Sequence, residues 1–459
     1  MTVGVAVVTL GCPKNLVDSE VMAGLVGRAG FILTGDVDSA EAIVINTCAF
    51  IGPAREEAWS RIEEAVELRR RGPCRALIVA GCLAQGFGEE IARRAPEVDR
   101  LLGTGDVDRV VAALRSVLAE GGGTVGPTFA YPGYLPEASV PRLISTPPHY
   151  AYLKIAEGCS HRCAFCLIPS LRGRYRSRPP EDVIREALAL GRMGVKELIL
   201  VAQDTTIYGR DLAGRSLLAD LTRRILDETN LTWLRVLYGY PSTLSDDFVA
   251  LLAAEAERAG GTLPVGQGRL CRYLDLPMQH ASNHVLRTMR RPETGDFLLR
   301  LVARLRREAP GLTLRSSFIV GFPGETEKDF QELLDFLATA RIEHAGFFSY
   351  SREEGTQAGE LPGQVPEPVK KERLARAATL QRRISLRYRR GLVGLRLAVM
   401  VDSARAARVV GRTEGDAPEI DGGVLVDWPV DRPRPSPGDL VAVEVTRARP
   451  YDLLARPGE

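Results

Sequence analysis

The stretch Glu157-Gly-Cys-Ser-His-Arg-Cys-Ala-Phe-Cys-Leu167 spaces Cys159, Cys163 and Cys166 as C-x3-C-x2-C, directly after the short apolar run Tyr150 to Ile155. Three thiolates this close on a turn can converge on one metal centre. An iron–sulfur cube held by four cysteines is coordinatively full, whereas three leave one iron open to a further ligand. Two plainer readings compete. A structural zinc site needs four ligands and would conscript His161. Three cysteines can also pack simply as small buried hydrophobes. The flanking sequence fits the cluster.

At 459 residues the chain exceeds what a single core supports, so two or three domains are expected. The net charge of +2 gives no global polyanion signal, and any nucleic-acid role would rest on a local patch. No apolar run is long enough to span a bilayer. The opening Met1-Thr-Val-Gly-Val-Ala-Val-Val-Thr-Leu10 lacks a positive leader and reads as a first strand. Eight cysteines without an export signal argue for a reducing compartment and for metal over disulfides. The expectation is a cytoplasmic protein with no membrane contact.

Upstream of the cysteine loop, β-rich runs at Val3 to Leu10, Ala42 to Ile45 and Ala76 to Ala80 alternate with helical patterns at Asp18 to Arg28, Ala54 to Arg70 and Gly88 to Arg94. This alternation predicts a doubly wound parallel sheet. Each strand runs into a cysteine turn: Leu10-Gly-Cys12, Asn46-Thr-Cys48 and Ala80-Gly-Cys82. Ligands bind at the carboxyl ends of such strands, so these three cysteines can meet at one rim and hold a second cluster. Cys74 and Cys271 lack this placement and read as ordinary thiols. A Gly- and Pro-rich linker follows, from Gly121 to Pro148.

From Tyr150 to about Arg390 the alternation resumes, with six strands and seven helices, as in a full or partial (β/α) barrel with its active site at the carboxyl ends of the strands. The cysteine loop follows the first of these strands. Gln203-Asp204, Asp275-Leu-Pro-Met-Gln-His280 and Phe318-Ile-Val-Gly-Phe-Pro-Gly-Glu325 add polar groups at other strand ends, and the glycine-rich Ala259 to Arg269 reads as a surface insertion. The basic helix from Pro368 to Arg390 reads as a solvated face. Beyond it, short β-type runs separated by turns predict a small antiparallel barrel of the OB-like type. Its segment Glu414-Gly-Asp-Ala-Pro-Glu-Ile-Asp421 concentrates four carboxylates, which predicts a basic protein partner more than RNA.

The whole chain resembles the radical S-adenosylmethionine (SAM) methylthiotransferases, from Leu10-Gly-Cys-Pro-Lys-Asn-Leu-Val-Asp-Ser-Glu20 to the last residues. Cys12-Pro-Lys-Asn15, Cys166-Leu-Ile-Pro-Ser-Leu-Arg-Gly173 and Asp416-Ala-Pro-Glu-Ile-Asp421 look like the branch that modifies small-subunit ribosomal protein uS12, while Arg290-Arg-Pro-Glu293 departs from it where a glycine commonly follows the arginines. The resemblance implies four segments. Residues 1–125 form a methylthiotransferase domain, 126–144 a linker, 145–390 a radical SAM barrel (TIM-like) and 391–459 a TRAM barrel. It implies two 4Fe-4S clusters, one on Cys159, Cys163 and Cys166 and one on Cys12, Cys48 and Cys82. SAM is the implied cofactor, with Gly194 and Glu197 at its amino group and Gly321 near its adenine. The implied reaction is β-methylthiolation of a uS12 aspartate with an external electron donor; tRNA is the rival substrate of the wider family.

Overall fold

The computed structural model describes residues 3–49, 51–120, 129, 131–258, 268–405 and 408–458. The first domain runs β1 (Gly4–Thr9), α1 (Pro13–Arg28), β2 (Ile32–Leu33), β3 (Ala42–Thr47), α2 (Gly52–Arg71), β4 (Ala76–Gly81), α3 (Cys82–Arg94), β5 (Arg100–Leu102) and α4 (Val110–Glu120). The strands pair in parallel in the order β2-β1-β3-β4-β5. Alternate residues of β3 and β4 serve opposite faces, as a strand's two-residue period requires. Ile43, Ile45, Leu77 and Val79 pack against α2 and α3. Ala42, Val44, Ala76 and Ile78 pack against α1 and α4. The sheet is therefore doubly wound, as expected. The expected glycine-rich insertion falls mostly on 259–267 and the start of the linker on 121–128 and 130, outside the described residues.

The central domain contributes β6 (Tyr150–Lys154), β7 (Ala156–Glu157), α5 (Ile168–Arg172), β8 (Arg176–Ser177), α6 (Pro180–Arg192), β9 (Glu197–Val201), α7 (Arg210–Ala213), α8 (Leu218–Glu228), β10 (Trp233–Val236), α9 (Asp246–Arg258), β11 (Tyr273–Asp275), α10 (Asn283–Thr288), α11 (Gly295–Glu308), β12 (Thr313–Val320), α12 (Glu327–Ala340), β13 (His344–Ser349), α13 (Gln357–Glu360) and α14 (Glu367–Arg390). Six of its strands are parallel, in the order β6-β9-β10 and β11-β12-β13, and a parallel bridge from Leu234 to Leu270 joins the two groups. The spatial order repeats the chain order, as right-handed βα units produce. Among the described residues β13 does not pair back to β6. The barrel is thus partial. No helix of the described residues is long and apolar enough to cross a membrane.

The last domain is a closed barrel, β14 (Arg396–Arg405), β15 (Arg408–Arg412), β16 (Val424–Asp427), β17 (Leu440–Ala448) and β18 (Leu453–Pro457), joined in the order β14-β15-β16-β18-β17. Its pairs are antiparallel except β16 with β18. Closure removes the sheet edges of this short module.

The acidic segment corrects an expectation. Its carboxylates bond to residues at the amino ends of the central strands and to α14, and only Glu419 is exposed. Glu414 accepts from Arg272 Nη2 at 2.7 Å, Glu419 from Tyr150 Oη at 2.7 Å, and Asp421 from Tyr273 Oη at 2.7 Å. Asp416 pairs with Arg389 of α14 at 3.0 Å. Glu414 and Asp416 are buried, so much of the segment is an interdomain clamp, while Glu419 stays exposed. The basic helix is likewise only partly solvated, because Lys370, Arg373 and Arg389 are buried and engaged.

Candidate active site

The loop after β6 and β7 carries Cys159, Cys163 and Cys166 to the carboxyl ends of the parallel strands. Gly158 makes that turn at φ +80°, where a Cβ would stand 2.2 Å from the Arg174 carbonyl oxygen. Only glycine fits there. Burial pushes the Cys159 thiol up to about 12 and the Cys166 thiol higher still, with the neighbouring loop cysteines adding to both. Such thiols hold their protons until a cation displaces them. His161 stacks on Tyr240 with centroids 3.8 Å apart and its Nε2 lies 2.6 Å from Asp204 Oδ2. Arg291 covers the Tyr240 ring at 3.8 Å, and the Tyr240 hydroxyl lies against Cys163.

The strand ends of the first domain meet this rim. Gly11, at φ +91°, lets the backbone pass Cys48, since a Cβ there would lie 2.5 Å from Cys48 Cβ. Cys12 caps α1 and Cys82 opens α3, both at positive helix ends. Burial opposes ionisation of Cys12, but Lys14 and Arg172 outweigh it and hold the thiol below its ordinary range. Burial pushes Cys82 up, with Arg172 acting against it.

Arg172 belongs to α5 in the central domain and is 2% exposed. It donates to Asn15 Oδ1, Asp18 Oδ2 and Glu157 Oε2, each at 3.0 Å. Lys154 donates to Glu157 at 2.7 Å and also to Asp18. Gln203 completes the set, donating to Glu157 Oε1 at 2.6 Å. Burial works against the charge on Glu157, yet Arg172 and Lys154 hold its carboxyl well below the usual range. This network ties the two cysteine groups together; of its members the sequence singled out only Gln203 as a strand-end polar group, and gave no sign that Arg172, Lys154, Asp18 and Glu157 pair.

Gly321 sits at the exit of β12, on the same rim, with Lys370 packed where its Cβ would be. Gly194 and Glu197 are not there. Gly194 follows α6, and Glu197 is the first residue of β9, paired with Tyr150 at the amino end of β6. Both Glu197 oxygens are taken, by Arg235 at 2.7 Å and by Arg412 of the C-terminal barrel. Their expected place beside a SAM amino group is therefore corrected. The polar residues at the exit of β9 are Gln203 and Asp204. Among the described residues no three His, Cys, Asp or Glu side chains gather as around a single ion.

Three family models match in series: Uncharacterized protein family UPF0004 over residues 4–103, the Radical SAM superfamily over 153–337 and the TRAM domain over 393–457. Ribosomal protein uS12 methylthiotransferase RimO of Pelotomaculum thermopropionicum is 47% identical, covering 99% of this chain and 99% of its own. The protein of the same name from Desulforudis audaxviator is 48% identical, covering 98% and 96%. The chain belongs to the uS12 methylthiotransferase family. Among solved structures, the radical S-adenosylmethionine methyltransferase TsrM from Kitasatospora setae superposes with a TM-score of 0.54 at 17% identity, covering 88% of this chain and 82% of that one. At that identity the likeness is one of fold. The uS12 methylthiotransferases thus share the full length of this chain, all three matched segments included.

Proposed function

We propose that this enzyme β-methylthiolates one aspartate of ribosomal protein uS12, taking both a radical source and a methyl group from SAM. The observation that carries the reading is near-half identity to uS12 methylthiotransferases along the entire chain. The meeting of two cysteine groups at one rim supports it. We assign Cys159, Cys163 and Cys166 to a 4Fe-4S cluster that binds SAM, and Cys12, Cys48 and Cys82 to a second. Gly321 stays the proposed approach to the adenine. The proposed domains are 1–125, 145–390 and 391–459, with 126–144 as linker. A ribosomal substrate places the enzyme in the cytoplasm, needing an external electron donor and not tRNA.

When bound, these groups supply hydrogen removal from an unactivated C–H bond, which no side-chain base achieves near neutral pH, together with the transferred methyl. The protein holds and shields. Gly158 and Gly11 shape the cysteine turns. Asp204 fixes His161, which with Tyr240 and Arg291 walls the loop cysteines. The network of Arg172, Lys154 and Glu157 closes the floor between the cysteine groups against water.

Changing Cys159 to Ala should abolish production of 5′-deoxyadenosine from SAM. Changing Cys12 to Ala should stop thiolation of uS12 while SAM is still cleaved. A Cys159→Ala enzyme that still releases 5′-deoxyadenosine would refute the first assignment.

A further inference from the structure

The Lys14 ammonium lies on the rim shared by the two cysteine groups. It sits 3.4 Å above the centroid of the Tyr238 ring, half-buried, and among the described residues no acceptor is hydrogen-bonded to it and no carboxylate pairs with it directly, although it feels the charge of Cys12, Asp275 and Glu157. The cations around it are engaged. Arg172 is held by Asp18 and Glu157, and Arg315 by Asp275 at 3.1 Å. Tyr238 is itself constrained: its φ is +62°, and its N–H donates to Asp275 Oδ2 at 3.2 Å. A bulky residue in that conformation stores strain, which persists where the surroundings enforce it. Two residues on, Tyr240 touches His161 and Cys163. Lys14 follows Cys12 by two residues. The ammonium therefore stands between the cysteine loop and the strand-end cysteines, where a side chain must enter to meet both.

An ammonium withdrawn from water without an acceptor is unfavourable, and a carboxylate is the group that best relieves it. We propose that Lys14 is the specificity-determining residue that receives the carboxylate of the target aspartate, fixing its β-carbon at the rim. The proposal rests on the uS12 reading. Recognition through charge makes the amide analogue a poor ligand, because it leaves the ammonium without a directly bonded carboxylate.

The test uses the cluster-loaded enzyme with two peptides copying the modified uS12 loop, one bearing Asp and one Asn at the target position. Dissociation constants and methylthiolated product are measured for the wild type, Lys14→Met and Lys14→Arg. Loss of one charged hydrogen bond corresponds to about 10- to 100-fold in affinity. The wild type should prefer the Asp peptide by that factor, Lys14→Met should bind both alike, and Lys14→Arg should restore the preference. A Lys14→Met enzyme that retains its iron and the full Asp preference overturns the proposal while leaving the uS12 reading intact. So does a loss of SAM affinity with an unchanged Asp-to-Asn ratio. A wild type that binds and modifies neither peptide sinks the uS12 reading, and the proposal with it. Should Lys14→Met lose its iron, the two peptides on the wild type decide alone: equal binding overturns the proposal.

Discussion

Arg172 ties together groups that the sequence keeps far apart. It lies six residues past Cys166, yet it reaches Asn15 and Asp18 in the first domain. Removing one partner from a buried charge network leaves the others uncompensated, at about 3–5 kcal/mol. Arg172→Met should therefore lower the unfolding temperature and strip iron from the first domain, read by thermal denaturation and iron analysis. Unchanged iron in both domains would contradict its assigned role. Gly158→Ala tests the cysteine turn: a Cβ at 2.2 Å from a carbonyl oxygen, at positive φ, should cost well over the roughly 1–2 kcal/mol of a left-handed L-residue. Wild-type stability in that variant would show that the turn has slack. The strand-end placement of the six cysteines was legible because Cys12, Cys48 and Cys82 each follow a strand and the loop of Cys159, Cys163 and Cys166 follows another. Arg172 was not, since no pattern near it names its partners. Gly194 and Glu197 were misplaced for a different reason. A glycine and a carboxylate beside a strand look alike at either end of it, and Glu197 opens β9 where a ligand-facing residue should close it.

Among the elements, the six central strands emerged at or near their sequence positions, because short apolar runs buried on both faces have few alternatives. Helix α1 begins at Pro13, five residues before the expected Asp18, since proline suits a first helical turn. The short strands β2 and β5 went unread, because two- and three-residue strands carry too little periodicity to register, and β18 and helix α4 went unread with them. Strand β9 allows a pH test. Burial favours neutral Glu197, but Arg412 and Arg235 outweigh it and hold its pKa below the ordinary 4.5. A carboxyl with a depressed folded pKa contributes stability that is fully present above its unfolded value and lost as pH falls through the folded one. The wild type should lose stability on acidification below about pH 4.5. Glu197→Gln should start weaker at neutral pH and lose less over the same span. Parallel acid profiles from urea unfolding would remove Glu197 from the clamp's pH response.

At the scale of the molecule, the C-terminal barrel closes the amino end of the partial barrel while the first domain covers the carboxyl end. The linker is pinned between the first domain and the central one: Arg142 pairs with Glu20 of α1 at 2.6 Å and Glu186 of α6 at 2.7 Å. Charge alone misled the reading of Glu414 to Asp421, because the counter-ions lie in other domains, with Arg272 142 positions away. Glu414→Ala should leave Arg272 buried and unpaired, at about 3–5 kcal/mol, and loosen the barrel toward proteolysis between the domains. Proteolysis no faster than wild type would argue against the clamp. The central claim, that the shared rim serves an aspartate of uS12, is tested most directly by mass spectrometry of uS12 and of bulk tRNA from cells with and without this gene. Without the gene, a uS12 aspartate should lose an increment of about 46 Da, the replacement of H by SCH3 on a cofactor-driven path, while tRNA is unchanged. An unaltered uS12 with methylthioadenosine missing from tRNA would contradict the claim.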